Sequence, residues 1–144
     1  MGSWRDSEFP FLNDENHEVT SPCTAMYNCI GWAMGEDDRK WWPIDGYYWP
    51  NDDRNPTVTT FERVLRMQGY KRCPDGGWDP DAEKIVIYTI GSGRKMEVTH
   101  AARQIGPDRW TSKIGTCEDI MHHEPRNLRG PLYGKPYAYY CRNK

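Results

Sequence analysis

The sequence lacks any run approaching the roughly 18–20 consecutive apolar residues that cross a bilayer, and residues 1–14 are polar and acidic, with no hydrophobic signal core. No membrane contact is therefore expected. The cytoplasm is the default compartment, with signal-independent export left open. Charge of one sign is also missing: 19 basic and 21 acidic residues are interleaved along the chain, for a net charge of −2. There is no basic stripe for nucleic acid and no acidic tail for a cationic partner. Cysteines are few, odd in number and irregularly placed, at 23, 29, 73, 117 and 141. That pattern argues against a disulfide framework and for reduced thiols. No internal repeat or low-complexity tract is present.

What remains is a 144-residue chain of one-domain size with a low apolar share of 37% but seven Trp and nine Tyr. Disordered chains are poor in aromatics, so a folded protein with large rings is expected. Thirteen Gly and eleven Pro imply many turns and little long helix.

Residues 1–20 read as an irregular lead-in, and 21–144 as a single domain. In the segment 21–35, Met26, Ile30, Ala33 and Met34 follow a helical period, with Gly35 as a stop. Two starts compete: Ser21 before Pro22, or Asn28. The second would put Cys29 in the first turn. Residues 36–56 form a Pro- and Gly-broken loop carrying Trp41, Trp42, Tyr47, Tyr48 and Trp49. A second helix is expected over 56–68, with Thr59 and Glu62 at capping-box spacing and Val58, Phe61, Val64 and Leu65 on one face. Residues 84–90, 98–105, 110–114 and 137–141 read as strands. The stretch 116–135 reads as irregular, with a helical turn near 118–121. The fold class is α+β, with N-terminal helices packed on a small antiparallel sheet.

One constellation could carry chemistry. A cysteine nucleophile works as the thiolate, which a helix N-terminus and a nearby imidazole favour. Cys29 at a possible helix start and His100 on a strand make such a pair. The polar strand 110–114 would supply a third residue to orient the imidazole. Ser112 and Lys113 lie there, although lysine cannot accept the imidazole N–H. Asp119 and a backbone carbonyl are the other choices.

The segment Asn28-Cys29-Ile30-Gly31-Trp32 resembles the nucleophile segment of papain-like bacterial peptidases and amidases. Thr99-His100-Ala101-Ala102-Arg103, followed by Trp110-Thr111-Ser112-Lys113, resembles that superfamily's His-bearing strand and the strand after it. Together with Ile120-Met121-His122, these strings are also similar to a family of small bacterial proteins. The resemblance implies a papain-like fold and a cysteine hydrolase or acyl-transfer enzyme acting on an amide. It implies Cys29 as nucleophile, His100 as general base, Ser112 as orienter, and Asn28 or Tyr27 beside Cys29 in an oxyanion hole. Trp32 and His122 would line the cleft, and the rings of 41–49 would hold a peptide, protein or cell-wall peptide substrate. No cofactor or metal is implied.

Plainer readings stand beside these. Cys29 could fill core, and His100 could be a hydrogen-bonded structural residue. Cys117 with His122 and His123 could ligate zinc, although it lacks a partner motif. The paired aspartates around 37, 52 and 79 read as solvated turns. The main rival is a binding module that uses the Trp/Tyr loop to hold a peptide, glycan or protein.

Overall fold

A computed structural model of the chain describes residues 9–13, 15–44, 46–114 and 118–144. The described residues build one seven-stranded sheet: β1 (His17–Ser21), β2 (Lys71–Cys73), β3 (Ala82–Ile90), β4 (Glu97–Gly106), β5 (Arg109–Lys113), β6 (Asp119–His122) and β7 (Lys135–Asn143). The spatial order is β1-β6-β5-β4-β3-β7-β2, and neighbouring strands are antiparallel. Two helices accompany it, α1 (Cys29–Ala33) and α2 (Val58–Met67).

This overturns the expected fold. The chain is not a papain-like α+β domain of helices on a small sheet; the sheet dominates, and only α2 extends beyond about one turn. The helical period of 21–35 is realised only from Cys29 onward, because Asn28 is the N-cap and its side chain accepts from the Gly31 amide. Gly35, at φ +83°, ends the turn. α2 lies where its apolar period placed it, but Thr57 caps it through the Thr60 amide, not Thr59.

Strands β1, β2 and β6 were not expected. β1 crosses the boundary drawn at residue 21, and β6 occupies the expected helical turn. The two pair with each other, His17 opposite His122 and Glu18 opposite Met121. Neither carries the β-branched run that marked β3; each is a strand because the other is there.

Directly paired residues share a face of the sheet, so the register assigns every side chain. Ile85, Ile87, Val98, Ala101, Ala138 and Tyr140 pack under α1, α2, Trp41 and Trp49 on what we call the helix face. Val86, Tyr88, Ala102, Trp110 and Ile120 project from the back face, where Phe9, Leu12, Leu128 and Tyr133 cover them. No helix of the described residues is long and apolar enough to cross a membrane.

Candidate functional site

Cys29 is the first residue of α1, as a nucleophile would be, but its surroundings are those of core. It is 6% exposed and packs with Ile30, Ala33, Ile87 and Ala101. Burial pushes its thiol up to about 12; the Ala101, Ile30 and Cys29 backbone groups pull the other way without offsetting that cost. At neutral pH such a sulfur is a protonated, weakly polar core atom.

His100 does not face it. Simple alternation from Val98, which is on the helix face, would have put His100 there too. The β3–β4 register shifts between Tyr88 and Thr89, so that Thr89 pairs with Val98, Tyr88 pairs with His100, and Thr99 is the extra residue. This bulge turns His100 to the back face. There it stacks on Tyr133 at 4.1 Å and 9° and meets the Tyr88 ring at 5.1 Å. The next residue, Ala101, is the one that packs against Cys29. The expected dyad is thus divided by the sheet.

Ser112 does orient His100, but within a sealed chain of hydrogen bonds. Its Oγ lies 3.0 Å from His100 Nε2 and 2.8 Å from His122 Nε2, while His122 Nδ1 is 3.0 Å from the Glu124 carbonyl. A carbonyl can only accept, so His122 carries its proton on Nδ1 and accepts from Ser112. Ser112 then accepts from His100 Nε2–H, leaving the His100 Nδ1 lone pair as a buried atom with no partner. All three residues are fully buried. Burial holds both imidazoles below their ordinary range: His122 is held at about 4, and His100 is pushed well down, with His122 also opposing its charge. His122 is therefore no cleft residue.

The remaining motif residues have structural tasks on the helix face. Asn28 caps α1 and clamps the aromatic loop: its Oδ1 accepts from the Trp41 amide and its Nδ2 donates to the Trp41 carbonyl. A Cβ on Gly31 would come within 2.7 Å of the Arg39 carbonyl, so the glycine is demanded by packing. Trp32 Nε1 donates to Thr111 Oγ1 and pins α1 to β5. Tyr27 is no oxyanion donor either. Its hydroxyl donates to Asp119 Oδ2 at 2.5 Å, alongside Ser21 Oγ at 2.6 Å. Lys113, wholly buried, has its Nζ 3.9 Å from Asp119 Oδ1 and 4.4 Å from the Tyr27 ring centre. Burial, then the Asp119 carboxylate, raises the Tyr27 phenol to about 12. Sequence reading noticed Lys113 and Asp119 only as alternatives for the third catalytic position. Their direct pairing across β5 and β6 joins them instead to one another.

The aromatic loop folds inward. Trp41 and Trp49 are core, with Trp49 4.9 Å and Trp42 5.6 Å from the Phe61 ring. Trp42 and Tyr47 are half-buried, and only Tyr48 is classed as exposed, with the Arg39 guanidinium 3.6 Å over its ring. As a platform for substrate, four of the five expected rings are thus wholly or partly spent on the fold. Among the described residues no group of three or more His, Cys, Asp or Glu is placed to hold a metal; Cys117, of the zinc reading, lies outside them.

An open cleft does exist, on the back face, where no single motif marked it. About 560 Å³ in volume, it lies over β4, β5 and β7, which give it Gln104, Trp110 and Tyr139. One wall is the segment Gly76-Gly77-Trp78 and the other His123 to Arg126, with Pro107, Asp108 and Pro136 at the rim. Gln104 Nε2 holds the first wall by donating to the Gly76 carbonyl at 2.7 Å. Gly76 lies so close that a Cβ would meet the Tyr139 ring at 2.7 Å and Trp110 at 3.0 Å. Trp78 is 37% exposed beside it. Burial and the charges of Asp75 and Glu124 raise the Tyr139 phenol, so it stays protonated and can donate.

Residues 18–141 match the model of a family described as a domain of unknown function, DUF7689. No curated protein and no solved structure matches the chain.

Proposed function

We propose that this chain, which belongs to the DUF7689 family, is a binding module that takes a short proline-containing peptide in its back-face cleft. The observation that carries this reading is the contrast between two places. Cys29 and His100 are buried on opposite faces, whereas the cleft is open and has the size of small-ligand sites, about 300–1,000 Å³.

Its lining favours an extended peptide. Trp78, Tyr139, Pro107, Pro125 and Pro136 give it aromatic and proline faces among a largely polar lining. Aromatic-lined grooves of this kind take polyproline II segments, whose backbone is already ordered and so costs little entropy to bind. Asp108 and Glu124 give the rim carboxylates, although Glu124 is partly engaged with Arg126. A basic residue flanking the proline would complement Asp108.

The test is calorimetric titration with proline-rich peptides carrying an arginine, with neutral oligosaccharides in parallel. Trp78→Ala is expected to weaken peptide binding about tenfold or more, as for an exposed aromatic anchor, and Cys29→Ser to leave it unchanged. Binding of oligosaccharide alone, or equal affinity of wild type and Trp78→Ala, would refute the reading.

A further inference from the structure

The first wall of the cleft begins at a cysteine that has a second cysteine beside it. Cys73 ends β2, and Pro74 and Asp75 lead from it to Gly76 and the wall. In the β2–β7 register, Cys73 pairs with Tyr139 and Lys71 with Cys141. Tyr139 and Cys141 are two apart on one strand, so Cys73 and Cys141 project from the same face, diagonal to one another. Both are half-buried free thiols on that shared face. Lys84, directly opposite Cys141 on β3, reaches past them to Asp75, with its Nζ 3.8 Å from Asp75 Oδ1. The Cys73 thiol also contacts the Asp75 carbonyl at 3.6 Å.

β2 is three residues long, lies at the sheet edge and pairs with β7 alone, with Arg72 also 3.5 Å from Glu62 of α2. A strand this short at a sheet edge can shift enough to bring two diagonal thiols into bonding geometry. We propose that Cys73 and Cys141 are a modification site: a reversible disulfide, formed by exchange with a low-molecular-weight disulfide such as oxidised glutathione, that fixes the 74–78 wall of the cleft. As a regulator of ligand access it rests on the binding reading above; as a cross-link it does not.

The exchange balances. One protein thiolate attacks a sulfur of the small disulfide and expels one small thiolate, leaving a mixed disulfide. The second protein thiolate attacks the protein sulfur of that bond and expels the other. Two protein S–H bonds become one S–S bond, and two electrons and two protons leave with the two small thiols. Burial and the neighbouring thiol raise Cys73 to about 11. Cross-linking is therefore slow at neutral pH and accelerates as pH rises.

Full-length protein incubated with oxidised glutathione, then alkylated and digested, should yield a Cys73–Cys141 linked peptide that is absent in Cys73→Ser and in Cys141→Ser. Hydrogen exchange of residues 74–78 should slow severalfold in the linked protein, without ligand, and recover on reduction. Independent alkylation of Cys73 and Cys141 after oxidation, or a link that leaves 74–78 exchange unchanged, would overturn the proposal. Both readouts need no peptide, so a failed peptide titration refutes the binding reading and leaves the cross-link to be judged separately.

Discussion

Removing one partner of the Lys113–Asp119 pair is expected to cost about 3–5 kcal/mol, the usual penalty for stranding one charge of a buried ion pair. The pair has that character here. Lys113 is wholly buried, Asp119 is 2% exposed, and the carboxylate also gathers Ser21 of β1 and Tyr27 from the lead-in to α1. Asp119→Ala thus removes the carboxylate facing the buried Lys113 ammonium and loosens the edge strand and the approach to α1 together. A chain of this size has only some 5–15 kcal/mol to lose, so the variant should unfold at a much lower urea concentration. The double change Lys113→Met with Asp119→Leu removes both charges and should recover most of that loss. If Asp119→Ala melts like the wild type, the pair does not have the buried role assigned to it.

The second large effect is acid sensitivity. An unfolded histidine titrates near ~6.5, while burial holds His122 at about 4 and pushes His100 well below its ordinary value. Below the unfolded value the unfolded chain binds protons that the folded one refuses. Stability is therefore fully present above pH ~6.5 and is lost as pH falls toward the folded values. For His122 alone the window from ~6.5 to ~4 is worth on the order of 3 kcal/mol, at ~1.4 kcal/mol per pH unit. Urea melts at successive pH values should show stability falling steadily from pH 6.5 downward. His122→Asn keeps a donor and an acceptor but cannot titrate, and should flatten the slope even where it lowers overall stability. A wild-type profile flat between pH 6.5 and 5 would contradict the sealed-imidazole account.

Much of the fold was legible where the signal is local. The β-branched run 85–90 announces β3, and the spacing of Phe61, Val64 and Leu65 announces α2. β1, β2 and β6 were not, because each is stabilised by a partner far away in sequence. The string around Cys29 reads as a nucleophile segment, and the structure gives its residues other tasks. Asn28, Gly31 and Trp32 are fixed by a cap, a close backbone approach and an indole hydrogen bond. Nucleophile segments need similar residues at similar spacing, so the string alone could not separate the two. One residue of register separates Cys29 from His100. A bulge at Thr99 reverses the face of His100, and with polar Thr99 and His100 at the slip no apolar side chain marks the change of phase. The cleft escaped notice because its lining comes from five separate stretches, none distinctive alone.

Cys29 is a core thiol, and alkylation of the native protein is the sharpest check of that placement. Timed iodoacetamide labelling at neutral pH, resolved by peptide mass, should modify exposed Cys23 first and Cys29 last, with Cys29 reacting only as the protein unfolds. Labelling of Cys29 ahead of Cys23, at a rate that rises through a pKa well below ~8.5, would contradict it and restore the thiol to chemistry.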